Sequence, residues 1–109
     1  MYSFSMEENE RILKKGMASL ECEESTFNGA LYLTTDRLVF VGYMLNLSRK
    51  YILSLSLVHI RELKAAKTFF ILPNVLIVTS IRHEDKFKFI MGQRDEWLQD
   101  ITRQMDRIQ

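Results

Sequence analysis

Apolar and polar residues alternate along most of the chain, and this alternation predicts a protein built mainly from β-strands. The pattern is clearest after residue 50, where Leu53, Leu55 and Leu57 are separated by serines. A period of two matches the pleat of a strand that turns one face to a core. We therefore predict seven strands, over residues 17–23, 30–34, 38–43, 51–57, 61–70, 75–80 and 86–91.

The pattern changes near the C-terminus, where the apolar spacing becomes helical. Over residues 93–108 the large apolar side chains recur at steps of one, three and four, and so fall on one stripe of a helix: Trp97, Leu98, Ile101, Met105 and Ile108. Asp95 and Glu96 would lie in the first turn and Arg107 in the last, which suits the helix dipole. We predict an α-helix over about 93–108.

Several interruptions of the alternation predict turns. Leu57, Ile60 and Leu63 are three apart, which a straight strand cannot accommodate, so the chain should bend there. By composition, residues 25–29 and 71–74 should also be turns, the second because of Pro73-Asn74. Between residues 34 and 38, Asp36 should accept backbone N–H groups in a tight hairpin turn.

The stretch from Gly29 to Tyr43 carries the most specific pattern in the chain. Two runs rich in Leu, Val, Phe and Tyr flank a short polar segment, as in a β-hairpin. The pattern G-x-L-Y-L-T-x-x-R-L-x-F resembles the central hairpin of the GRAM family. It is carried by Gly29, Leu31, Tyr32, Leu33, Thr34, Arg37, Leu38 and Phe40.

This resemblance, strongest over residues 29–63, implies a single domain spanning 1–109. The implied fold is mainly β (α+β): a PH-like, seven-stranded antiparallel sandwich or partly open barrel capped by the C-terminal helix. It also implies a non-catalytic binding module. At the position of Arg37, the resemblance implies a structural residue that braces the turn.

Charge narrows the classes of partner. Fifteen basic and fourteen acidic residues leave no global positive field for nucleic acid, so we expect no nucleic-acid partner. The middle segment, residues 36–67, is basic, with six bases against two acids. A lone cysteine, Cys22, and an acidic N-terminus without an apolar core predict a soluble, cytoplasmic protein, with peripheral attachment to a membrane as the alternative. We expect Cys22 to be buried on the apolar side of its strand.

No group of residues looks suited to catalysis. His59 and His83 are the only histidines, and neither has ligand residues at a recognised metal spacing. His83, Glu84 and Asp85 are adjacent, but they fit a solvated turn better than a site. We therefore predict no enzyme activity, no metal and no cofactor.

The remaining chemistry is binding, and two hypotheses stay open. The first is interaction with an unknown protein partner or self-association, through a sheet edge or an apolar patch. The alternative is peripheral binding to an anionic lipid headgroup. The candidate anion-binding residues are Arg49, Lys50, Arg61, Lys64 and Lys67. The first hypothesis leads, because residues 25–29, the loop where PH-like domains often bind phosphoinositides, contain no Lys or Arg.

Overall fold

The computed structural model describes residues 2–22, 25–44, 49–68 and 71–108. Within these residues the chain forms seven β-strands and a C-terminal α-helix, in the predicted order. The elements are β1 Ile12–Glu21, β2 Thr26–Thr34, β3 Arg37–Tyr43, β4 Lys50–Ser56, a 3-10 helix Leu57–His59, β5 Ile60–Thr68, β6 Leu72–Ser80, β7 Phe87–Met91 and α1 Arg94–Ile108. The predicted ends of two strands, residues 23 and 69–70, lie outside the described residues.

The strands form one antiparallel sheet in the order β4-β3-β2-β1-β7-β6-β5. β1 is its central strand, because it pairs with β2 along its length and with β7 from Ala18 to Glu21. The sheet curls into a half-barrel, and β4 and β5 are its two edges. The 3-10 helix Leu57–His59 joins these edges, so the predicted bend after residue 57 is confirmed.

The concave face of the sheet holds the main core, and α1 closes one end of it. The fully buried side chains come from nearly every strand and include Leu20, Leu31, Leu33, Leu38, Phe40, Leu55, Leu76 and Phe89. From α1, Trp97 and Ile101 are buried, while Leu98, Met105 and Ile108 are half-buried against them. The helical stripe predicted from the sequence is therefore the face that packs on the core.

Two polar side chains fix the helix over the barrel end. Gln104 donates to the carbonyl oxygen of Thr35 at 2.9 Å. Arg94 is buried at the start of α1 and donates to the carbonyl oxygens of Ala66 and Val75 at 2.7 and 3.2 Å. Because each bond satisfies a backbone acceptor, these residues can occupy a largely apolar interface.

The β2–β3 hairpin forms at the predicted place, but Thr34 rather than Asp36 organises its turn. The Thr34 hydroxyl accepts from the backbone N–H groups of Asp36 and Arg37, at 3.1 and 3.0 Å. Gly29 is required further along the hairpin, since a Cβ there would lie 2.0 Å from the carbonyl oxygen of Val41. Both residues belong to the pattern that resembles the GRAM family.

The predictions for the first turn and for Cys22 are wrong. β2 begins at Thr26, so residues 26–29 belong to a strand and not to a turn. Cys22 follows the last residue of β1, and its backbone N–H donates to the carbonyl oxygen of Ser25 at 2.9 Å. The alternation of β1 therefore does not extend to Cys22, which is exposed. Partial burial and the nearby Asp85 carboxylate raise the pKa of its thiol.

Candidate binding surfaces

The five basic residues predicted to bind an anion are all exposed and lie at the two edge strands. Arg49 and Lys50 are at the start of β4, and Arg61, Lys64 and Lys67 lie along β5. Lys50 has an intramolecular contact, because its Nζ donates to the carbonyl oxygen of Ser3 at 3.1 Å. That these five residues bind an anion stays a prediction.

The β5–β6 hairpin ends in an apolar tip beside two of these lysines. The backbone N–H of Ile71 donates to the carbonyl oxygen of Thr68 at 3.0 Å, and Thr68 pairs with Leu72. Ile71 is 75% exposed and Leu72 is 51% exposed. Lys67 directly precedes Thr68 in the chain. We call Lys67, Thr68, Ile71 and Leu72 the hairpin tip.

The hairpin tip is exposed because its two strands extend beyond their neighbour. β6 pairs with β7 only from Val75 onward, where Val75 lies opposite Ile90. The residues before Val75 therefore have β5 on one side and no β7 partner on the other. The apolar side chains of Ile71 and Leu72 consequently lie beyond the edge of the core.

The predicted turn at Pro73-Asn74 is wrong, since both residues belong to β6. Pro73 has no N–H to donate, but it lies in the part of β6 that has no β7 partner, where a proline is tolerated. The side-chain amide oxygen of Asn74 accepts a hydrogen bond from the Thr68 hydroxyl at 2.7 Å. The sequence contained a signal for the tip: four apolar residues, 69–72, stand together directly before the proline.

A second surface lies on the convex face of β2 and β3, and the chain covers it with its own N-terminus. Four residues of these strands are buried outside the main core: Ala30, Tyr32, Val39 and Val41. Tyr2 and Phe4 pack against them. The Phe4 ring meets Tyr32 edge-on, with 4.9 Å between centroids, and the Tyr2 ring meets Tyr43 edge-on at 5.9 Å. We call residues 2–6 the strap.

Side-chain donors hold the backbone of the strap to this face. The Tyr32 hydroxyl donates to the carbonyl oxygen of Tyr2, and Arg37 Nη2 donates to that of Ser5 at 2.7 Å. With the bond from Lys50 to Ser3, three carbonyl oxygens of the strap are satisfied from the sheet. The Arg37 guanidinium also lies over the Phe4 ring, 5.3 Å from its centroid.

A buried ion pair at Glu10 anchors the chain shortly after the strap. The Glu10 side chain is fully buried, and its carboxylate accepts from Arg37 Nε at 2.8 Å and Nη2 at 3.0 Å. It also accepts from the Thr34 hydroxyl and from the backbone N–H of Glu7. Mainly because of the Arg37 hydrogen bond, and despite opposing desolvation, the pKa of Glu10 falls to about 2 from an ordinary 4.5. Arg37 is thus structural, as the resemblance implied.

Sequence reasoning missed Glu10 and the strap. The polar stretch around Glu10 carries no periodic signal, and nothing local pairs Glu10 with Arg37, 27 residues away.

The loop that contains His83, Glu84 and Asp85 is exposed, in agreement with a solvated turn. Within the described ranges, no three His, Cys, Asp or Glu side chains are placed to hold a metal ion. No helix among the described residues is long and apolar enough to span a bilayer.

The sequence of the chain matches the family model of the GRAM domain over residues 1–109. The chain belongs to the GRAM domain family. GRAM and PH-like domains are generally non-catalytic modules that bind proteins or lipids. No curated relative matches this GRAM domain.

Two solved structures resemble this GRAM domain in fold. One is the C-terminal domain of an unknown protein from Leishmania infantum, with a TM-score of 0.71 and 16% identity, covering 90% of this chain and 86% of that one. The other is the Vps36 N-terminal PH domain, with a TM-score of 0.69 and 16% identity, covering 95% and 85%. At this identity the likeness shows the fold alone, and it confirms the predicted PH-like architecture.

Proposed function

We propose that this GRAM domain is a non-catalytic module that attaches peripherally to anionic membrane surfaces through the hairpin tip. One observation carries the proposal. Ile71 and Leu72 are exposed at the end of a hairpin that projects from the sheet, and exposed cations lie on the same hairpin. Lys64 is three residues before Lys67, roughly 10 Å along the strand.

The two kinds of residue suit the two layers of a membrane interface. Each large aliphatic side chain gains about 1.5–3 kcal/mol on full transfer from water to an apolar phase. Each lysine close to an anionic leaflet adds about 1 kcal/mol. Because Ile71 is 75% and Leu72 is 51% exposed, the two side chains together can gain roughly 2–4 kcal/mol. With the two lysines the gross gain is roughly 4–6 kcal/mol before the costs of association, which is typical of reversible peripheral binding.

The sequence argument that favoured a protein partner does not apply if the hairpin tip inserts its apolar side chains into the membrane. That argument rested on the lack of Lys and Arg in the first loop, where a headgroup would bind. A hairpin tip that enters the interfacial region needs no headgroup pocket. Protein interfaces are moreover depleted in lysine. Lys67 in the hairpin tip and Lys64 before it on β5 therefore favour an anionic surface over a protein partner.

Flotation with vesicles tests the proposal. The full chain is mixed with vesicles of neutral lipid alone, or with vesicles that also contain anionic lipid, at low and at physiological salt. We expect flotation only with the anionic vesicles, and less of it at higher salt, because the Debye length falls to about 8 Å at 0.15 M.

Matched variants locate the contact. Ile71→Ser with Leu72→Ser should abolish flotation, and Lys64→Glu with Lys67→Glu should abolish it as well. Ile81→Ser is the control for the first variant, since Ile81 is 62% exposed at the opposite end of β6. Arg82→Glu is the control for the second, because Arg82 is an exposed cation beside Ile81.

Flotation of the Ile71→Ser/Leu72→Ser variant at the wild-type level would overturn the assignment of the hairpin tip. A wild-type chain that stays in the bottom fraction with anionic vesicles at low salt would overturn membrane attachment altogether. The hypothesis of a protein partner or self-association would then take its place.

A further inference from the structure

The strap occupies its place on the sheet as a bound peptide would. Residues 2–6 form no strand, so no backbone ladder ties them to β2, β3 or β4. They contact the sheet by ring packing and by hydrogen bonds from side-chain donors to main-chain carbonyl oxygens. This is how an extended segment is recognised when it lies on the face of a sheet rather than along its edge.

The surface under the strap is formed by the sheet itself. Ala30 and Tyr32 belong to β2 and Val39 and Val41 to β3, and the ladder between these strands runs from Asn28–Tyr43 to Leu33–Leu38. On the opposite face, Leu31, Leu33, Leu38 and Phe40 hold both strands to the main core. The face should therefore keep its shape when the strap leaves it.

The contacts define what the face recognises. It takes aromatic side chains at two positions separated by one residue, Tyr2 and Phe4. Arg37, Lys50 and Tyr32 supply donors to the carbonyl oxygens on the peptide backbone. A groove of about 490 Å³ continues beside the strap, bordered in part by Ile12 and Lys15, and leaves room around the bound segment.

We propose that this face is a binding site for an extended peptide with two aromatic residues at positions i and i+2, and that the strap occupies it in cis. The partner is a protein segment of that chemistry, and it binds when it displaces the strap. This site is separate from the hairpin tip and goes beyond membrane attachment. A tethered occupant has an effective concentration in the millimolar range, so it lowers the apparent affinity for a competing peptide.

A full-length chain with a weakened strap tests the site. Tyr2→Ala with Phe4→Ala removes both rings and keeps the backbone. Ser3→Ala with Ser5→Ala is the matched control, because these serines bind the sheet through their carbonyl oxygens. The probe is a fluorescent synthetic peptide with the sequence Tyr-Ser-Phe-Ser-Met, followed by anisotropy. We expect saturable binding to Tyr2→Ala/Phe4→Ala, at least about tenfold tighter than to wild type or the serine control.

A peptide in which both aromatic residues are alanine should bind that variant at least about tenfold more weakly. Equal binding of the two peptides, or equal binding of the probe to all three chains, would overturn the proposal.

If the aromatic variant does not fold, NMR titration of the wild-type chain decides. Probe at about 2 mM, comparable to the tethered strap, should shift the amides of Ser3, Phe4 and Ser5, because the displaced strap leaves the face. Unchanged spectra at these three positions would overturn the site.

Discussion

The convex face under the strap and the hairpin tip are both apolar, but the protein treats them in opposite ways. Tyr2 and Phe4 cover Ala30, Tyr32 and Val41, which are at most 5% exposed. At the hairpin tip, Ile71 and Leu72 keep half or more of their surface in contact with solvent. The first surface is covered by the strap, while the second is open to a partner without any displacement.

The difference separates a surface that stabilises the fold while the strap covers it from a surface that is free to bind. A covered apolar surface contributes to folding because its burial removes area from water. A grouped and exposed apolar surface contributes little to folding and is a mark of interaction with another molecule or a membrane. Substitutions in the strap and its anchor should therefore change stability, whereas substitutions in the hairpin tip should change binding with little effect on stability.

The largest expected effect comes from the anchor of the covered surface. Glu10→Ala leaves the half-buried Arg37 guanidinium without its carboxylate, and removal of one partner of a buried pair typically costs about 3 kcal/mol or more. Urea denaturation should show a fall of this size in the free energy of unfolding. Glu8→Ala, an exposed neighbour, should change it by less than about 0.5 kcal/mol. Equal effects of the two variants would contradict the anchoring role.

The lowered pKa of the Glu10 carboxylate predicts that the free energy of unfolding falls in acid. The pKa of Glu10 is about 2 in the folded chain and about 4.5 when unfolded, so the unfolded state binds more protons between these values. The stabilisation, about 3 kcal/mol, is complete above pH 4.5 and disappears as the pH falls to 2. In Glu10→Gln, the free energy of unfolding, measured by urea denaturation at each pH, should depend less on pH over this range. An unchanged slope in Glu10→Gln would show that other groups control acid unfolding.

The strap itself should contribute less than its anchor. Phe4→Ala removes a half-buried ring, so we expect a loss of about 1–2 kcal/mol, below the 3–5 kcal/mol of a fully buried phenylalanine. Thermal denaturation followed by circular dichroism would measure it. Met6→Ala, at an exposed position of the same segment, should cost less than about 0.5 kcal/mol. A Phe4→Ala chain as stable as wild type would mean that the strap does not cover the face in solution.

The smallest change in stability should come from the hairpin tip. Ile71→Ser and Leu72→Ser should each alter the free energy of unfolding by no more than about 0.5 kcal/mol, because both side chains are exposed. The check is urea denaturation of each variant beside Ile81→Ser. A loss above about 2 kcal/mol would show that the tip packs against the protein, and would remove the distinction between the two surfaces.

The sequence predicted the elements whose signals are local. The alternation around Leu53 and Leu55, the change of spacing after Leu57 and the stripe at Trp97 and Ile101 each correspond to an element of the structure. These patterns are visible because one face of each element packs on the same core.

The errors and omissions arise where distant residues decide the structure. Pro73 looks like a turn residue, but it can remain in β6 because β7 does not extend that far. Glu10 gains its role from Arg37, and the strap gains its role from strands that follow much later in the chain. Such contacts join separated segments without a periodic pattern, so one sequence alone does not reveal them.

The most direct test of membrane attachment compares the two isoleucines that flank β6. In a chain with Cys22→Ser, Ile71→Cys or Ile81→Cys carries an environment-sensitive fluorophore, and emission is recorded with anionic and with neutral vesicles. We predict a blue shift at position 71 with anionic vesicles only, and no change at position 81. Unchanged emission at position 71 while the chain floats with the vesicles, or an equal shift at both positions, would contradict attachment through the hairpin tip.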